Sequence, residues 1–156
     1  MSELVSSGAD VHLLLIGKGS EETRIEEIVD ERNLRARVTH RKSIDHDELP
    51  DILNAADAFL LLPSVCVYEV AALEALACGT PAIVSDVGAF RDYVNREDGI
   101  RVNLDQEERE WVPEILRLLK DGRRPASTKP DLSWDTLIPE YTSFFDKVIV
   151  NRRLNT

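Results

Sequence analysis

Apolar and polar positions fall into two alternating patterns along the chain. Five short stretches rich in apolar or β-branched residues read as strands, the first of them nearly continuously apolar. They are Val11 to Ile16 (VHLLLI), Arg37 to His40 (RVTH), Ala58 to Leu62 (AFLLL), Ala82 to Val84 (AIV) and Ile100 to Val102 (IRV). Runs of this kind suit parallel strands covered on both faces. The segments between them place apolar residues every third or fourth position, the mark of a helix with one buried face. One helix starts at Ser20, an N-cap residue type, and carries Ile25, Ile28 and Val29. The next is capped by Asp45 or Asp47 and carries Leu49, Ile52, Leu53 and Ala56, with Pro50 in its first turn, where proline is tolerated. A third turns Leu73, Leu76 and Ala77 to the core and ends at Gly79. Phe90 to Val94 gives one or two helical turns, and Gln106 to Lys120 a helix faced by Trp111, Ile115, Leu118 and Leu119. After a loop over 121–131, Ser133 caps a last amphipathic helix, 133–149, bearing Trp134, Leu137, Ile138, Tyr141, Phe144, Phe145 and Val148.

Alternating strands and helices predict the α/β class: a Rossmann-like three-layer α/β/α domain with a parallel sheet and helices on both faces. Ligands of such sheets sit beyond the carboxyl ends of the strands. The loops expected there are Gly17–Gly19, Arg41–Ile44, Pro63–Glu69 and Ser85–Ala89. The Gly17-Lys18-Gly19 turn lets the backbone approach a ligand. It lacks the third glycine of the dinucleotide fingerprint, and His40-Arg41-Lys42 stands where that fingerprint wants an acidic residue, which disfavours a dinucleotide-binding oxidoreductase. Ser2 to Ser7 reads as the tail of a helix ended by Gly8-Ala9-Asp10, and leads to the expectation that further structure precedes it.

Composition narrows the function classes. The chain has 156 residues, 43% of them hydrophobic, enough for one cored domain over 1–156. A formal net charge of −10 argues against nucleic acid as the main partner, since phosphate backbones need clustered Lys and Arg. No apolar run reaches the length of a membrane span. Cys66 and Cys78 match no zinc spacing and form no disulfide framework, so both read as reduced thiols of a cytoplasmic protein. His12, His40 and His46 are scattered, and no metal site or cofactor is expected.

Family-level information lies in the stretch Leu62 to Asp86. Pro63-Ser64, then Glu74-Ala75-Leu76-Ala77-Cys78-Gly79-Thr80-Pro81, then Ser85-Asp86-Val87-Gly88 resemble, in this order, the donor-binding C-terminal half of retaining glycosyltransferases of the GT-B fold, family 4 type. IGKG, DELPDILNAADAFLLLPS, DGIRV and SWDTLIPEYTSFFDKVI add matches over nearly the whole chain. The resemblance implies one half of a GT-B fold, a nucleotide diphosphate sugar as donor, a hexose moved with retention of configuration, and no metal. Charge on the departing diphosphate would be met by basic side chains and backbone N–H groups. Glu74 matches the glutamate that takes hydrogen bonds from the ribose hydroxyls, a role a carboxylate suits because it offers acceptors to both. Lys42, Ser43 and Ile44 match the loop whose backbone meets the base. Gly17, Lys18 and Gly19 match the family's glycine turn, and Tyr68, Glu69 and Val70 fall in the region that meets the diphosphate.

The chain also departs from the family pattern. The motif's first glutamate should lie eight residues before Glu74, and Cys66 stands there. A thiol lacks a carboxylate's two acceptor oxygens, so no catalytic residue is assigned. Glu69, where the family carries glycine, either substitutes for the absent carboxylate or hinders the diphosphate. Cys66 as a nucleophile lacks a histidine partner in sequence. The family's Arg and Lys that grip the diphosphate, its first strand and its N-terminal acceptor-binding domain have no counterpart in this sequence. The expected function is therefore donor binding as part of a larger glycosyltransferase, inactive alone. The alternative is a non-catalytic binding or regulatory module that keeps the fold.

Overall fold

The computed structural model describes residues 1–122, 124–125 and 134–154. The order is α1 (Ser2–Ser6), β1 (Leu13–Ile16), α2 (Glu22–Glu31), β2 (Val38–Arg41), α3 (Leu49–Ala55), β3 (Phe59–Leu61), α4 (Val70–Ala77), β4 (Ala82–Ser85), α5 (Phe90–Tyr93), β5 (Gly99–Val102), α6 (Glu108–Asp121) and α7 (Trp134–Leu154). The predicted alternation is therefore present, with strand ends moved by one or two residues. The chain divides into two compact units, 1–125 and 126–156.

All strand pairings are parallel, as the apolar runs predict, but the strands form two sheets and not one. β1 pairs with β2 from Leu13↔Val38 to Ile16↔Arg41. β3, β4 and β5 form a second sheet in that order. The reason for the division lies in which edges are bonded. The Gly17 N–H bonds the Arg41 carbonyl, so by strand alternation the N–H groups of Leu14 and Ile16 point away from β2. The Phe59 N–H bonds the Pro81 carbonyl, which likewise points the Leu60 N–H away from β4. β1 and β3 each carry an open edge, and their apolar residues are half-buried or exposed, whereas β4 is buried along its whole length.

β4 shows why its sequence is continuously apolar. Ala82 and Val84 face a core of Cys66, Ala72, Leu76, Phe90 and Val94. Ile83, on the opposite face, packs with Ile100, Val102 and Ile115, and Leu4 of α1 and Trp111 of α6 flank that core. Alternation along one strand thus serves two layers of helices.

Several local expectations are corrected. On α4 the buried residues are Ala72, Ala75 and Leu76, which share one helical face; Leu73 is half-buried and Ala77 lies on the exposed side. Ser20 does not cap α2, which starts at Glu22, and the Glu22 carboxylate accepts the Gly19 N–H at 3.2 Å. Asp45 precedes a 3₁₀ turn, His46–Glu48, and neither it nor Asp47 caps a helix through its side chain. The end of α4 follows the glycine signal closely: Gly79 has φ 72°, its N–H bonds the Leu76 carbonyl, and the Thr80 N–H bonds that of Ala75, a Schellman motif. α6 begins with a capping box between Glu107 and Glu110, and Pro113 lies inside it. At the end of the first unit the Arg124 guanidinium donates to the Asn54 carbonyl at 2.6 Å, closing the last turn of α3.

In the second unit α7 runs to Leu154, beyond the expected end, with Pro139 inside it. Ile138, Tyr141, Phe144, Phe145 and Ile149 are exposed. The Ser133 cap, most of the 121–131 loop and the side chains of Trp134 and Val148 lie outside the described residues. Among the described residues no helix is long and apolar enough to cross a membrane.

Candidate functional site

The four loops expected to meet beyond the carboxyl ends of the strands are drawn together as two pairs. The first pair follows β1 and β2. A ring nitrogen of His40 lies 2.8 Å from the Gly17 carbonyl, and the Lys42 ammonium lies 2.7 Å from the Glu22 carboxylate. The Lys42 contact and the Gly19 N–H hold the Glu22 carboxyl below the usual carboxylate range, and the same contact raises Lys42 above the ordinary lysine value. Lys42 is thus engaged as a strut between the β2 loop and α2. Lys18 and Ser43 are exposed, and Ile44 is half-buried.

The second pair follows β3 and β4. The Ser85 hydroxyl, fully buried, donates to the Pro63 carbonyl at 2.6 Å. Gly88, at φ 49°, lies against Cys66 so closely that a β-carbon there would stand 1.8 Å from the Cys66 carbonyl oxygen. Only a residue without a side chain fits, and the left-handed backbone favours glycine for the same place. Below this loop, Asp86 accepts from both Arg91, at 3.1 Å, and Arg101, at 3.2 Å. Arg101 also donates to the Val94 carbonyl at 2.7 Å, so one carboxylate and two guanidinium groups brace the turn from β4 to α5.

Within the 63–70 loop the residues separate by burial. Cys66 is 5% exposed and belongs to the core. Packed with Ala72, Leu76, Phe90 and Val94, the thiol behaves as a small hydrophobe and not as a surface nucleophile. Glu69 is half-buried at the start of α4, while Val65, Val67, Tyr68 and Val70 are exposed. Glu74 is half-buried on α4, and no hydrogen bond or ion pair to its carboxylate occurs among the described residues. A half-buried carboxylate without a protein partner has acceptor capacity left for a ligand.

Sequence reasoning missed the Glu22–Lys42 strut, the Asp86–Arg91–Arg101 cluster and Tyr93. The Tyr93 hydroxyl donates to the Glu69 carbonyl at 3.4 Å, and its ring lies 5.8 Å from that of Tyr68. None of these carries a local sequence signal, because each joins residues from different elements.

This framework matches known proteins. A family model described as "Glycosyl transferases group 1" matches residues 1–130. The chain belongs to the glycosyl transferases group 1 family. Over 99 residues, 62% of this chain and 25% of the relative, it is 33% identical to a 2-deoxystreptamine glucosyltransferase of Streptomyces kanamyceticus. Over 146 residues, 88% of this chain and 30% of the relative, it is 27% identical to a D-inositol 3-phosphate glycosyltransferase of Salinispora tropica. Among solved structures, sucrose-phosphate synthase from Thermosynechococcus elongatus superposes with a TM-score of 0.77 at 27% identity, covering 96% of this chain and 42% of that one. The group 1 chain described here thus spans about a quarter to a third of the length of these two curated relatives. Its Rossmann-like α/β fold is that of its GT-B structural neighbours.

Proposed function

We propose that this chain is the donor-binding part of a retaining glycosyltransferase of family 4 type, the C-terminal half of a GT-B enzyme, and binds a nucleotide diphosphate sugar. The observation that carries this reading is Glu74: a half-buried carboxylate with no hydrogen bond or ion pair among the described residues, within a chain that matches the group 1 family over residues 1–130. In this reading the Glu74 carboxylate accepts from the two ribose hydroxyls. The Gly17–Gly19 turn and the backbone of Lys42, Ser43 and Ile44 form the wall for the base. Engagement of the Lys42 ammonium by Glu22 favours a contact through backbone there. Tyr68, Glu69 and Val70 border the diphosphate, and Glu69 takes the place of the carboxylate that Cys66 does not supply.

The open edges of β1 and β3 support a second part of the proposal. A further parallel strand, bearing the Arg and Lys that grip the diphosphate, and an acceptor-binding domain belong to the active enzyme and lie outside residues 1–156. The chain alone then binds donor without transferring its hexose, and needs no metal to do so. The two free thiols fit a cytoplasmic setting.

Titration with UDP- and GDP-sugars, followed by amide chemical shifts, tests the reading. Saturable shifts are expected at 17–19, 42–44 and around Glu74. Glu74→Gln should weaken binding about tenfold to a hundredfold, the range for losing hydrogen bonds to a charged acceptor. Sugar transfer by the isolated chain would remove the claim of inactivity. A second reading, a non-catalytic module, is favoured by the burial of Cys66 in the core. Absence of any saturable shift would support that module.

A further inference from the structure

The loop that carries Glu69 gains little from burial. Of its residues, Val65, Val67, Tyr68 and Val70 are exposed, and only Cys66 is in the core. A segment so placed needs specific contacts to hold one conformation. Among the described residues, two such contacts come from Gly88 and Tyr93. Gly88 pins the Cys66 backbone. Tyr93 meets the same loop, with its hydroxyl on the Glu69 carbonyl and its ring against Tyr68. Tyr93 is itself anchored, since its ring lies 5.7 Å from Phe90 in an edge contact, and Phe90 is fully buried. Phe90, Tyr93 and Tyr68 thus form an aromatic ladder from the core to the rim of the site. The Tyr93 phenol also stands beside the Cys66 thiol and near the Glu69 carboxylate, both of which act on its ionisation.

We propose that Tyr93 is a positioning residue that fixes residues 66–70, and through them sets the Glu69 carboxylate and the start of α4 toward the sugar diphosphate of the donor. This rests on the donor-binding reading for what the loop faces, but not for what holds the loop. Tyr93 touches no reacting atom; it acts through Glu69.

The test is Tyr93→Phe, which keeps both ring contacts and removes only the hydroxyl. In the full chain, amide hydrogen exchange at 66–71 should speed up about threefold to tenfold, the range for one neutral hydrogen bond, while β4 and β5 exchange as before. UDP- and GDP-sugars should bind more weakly by a similar factor, with UDP and GDP alone changed by less than about twofold. Glu69→Gln should weaken the sugar nucleotides without faster exchange, separating the carboxylate from the backbone contact. Unchanged exchange at 66–71 in Tyr93→Phe would overturn the proposal. An equal loss for nucleotides and sugar nucleotides would reduce Tyr93 to a general structural role and also overturn it. If the wild-type chain binds none of these ligands, the donor reading fails, and the exchange measurement still decides whether Tyr93 holds the loop.

Discussion

Gly88 and Cys66 are in backbone contact so close that a β-carbon on residue 88 would lie 1.8 Å from the Cys66 carbonyl oxygen. This contact fixes the loop after β3 against the loop after β4. Gly88→Ala should therefore destabilise the fold by at least about 2 kcal/mol, since backbone has to move and φ 49° is strained for alanine. Gly19→Ala meets open space and should stay within about 0.5 kcal/mol of wild type. Urea denaturation midpoints of the two variants check the contrast.

The buried Ser85 hydroxyl makes a second tie between the same loops through the Pro63 carbonyl. Ser85→Ala leaves that carbonyl with no donor from Ser85, at a cost of about 1–3 kcal/mol. Chemical denaturation measures the loss, and amide exchange should show it first in residues 63–70. A variant as stable as wild type would show that water replaces the hydroxyl.

Lys42 is exposed and Glu22 half-buried, so water screens the pair and its removal should change global stability only slightly. Its effect is local and depends on pH. Glu22 is held below its ordinary value of 4.5, so its contribution is present above that value and is lost as pH falls through the lowered folded value. Lys42 is raised above 10.5, so its contribution is present below that value and is lost as pH rises through the raised one. Lys42→Met should move the Glu22 carboxyl back toward 4.5 in an NMR titration.

Tyr93 should ionise late. Burial first, and the neighbouring Cys66 next, push its phenol from 10.0 up to about 12. The neutral form is the one the fold favours, so its contribution is complete below about pH 10 and is lost as pH rises through about 12. The ultraviolet titration of wild type minus that of Tyr93→Phe should show one phenolate appearing near pH 12. A midpoint near 10 would show that the phenol stands in water.

The short apolar runs made all five strands legible, and their alternation with helices announced parallel pairing before any pairing was visible. Gly79 and the stretch from Glu74 to Pro81 read correctly as helix end and turn, because capping geometry is local. Helix starts read less well. Ser20 and Asp45 have the right chemistry for caps, yet Glu22 and a 3₁₀ turn take those places, since competing local hydrogen bonds differ by little in energy. Cys66 was legible as a departure from the family pattern. Its place in the core was not, because burial of a small side chain depends on Phe90, Val94 and Ala72 arriving from other elements.

By itself, the sequence determined the α/β class, the order of elements, the family resemblance and Glu74 as the first ligand-binding candidate. These depend on periodicity and on residues close together in the chain. Tertiary structure alone decided that the strands form two sheets with open edges on β1 and β3. It also decided that Lys42 is engaged by Glu22, and that Gly88 and Tyr93 grip the loop carrying Glu69. Those relationships join residues about twenty positions apart, and packing fixes such distances where local propensity has no hold on them.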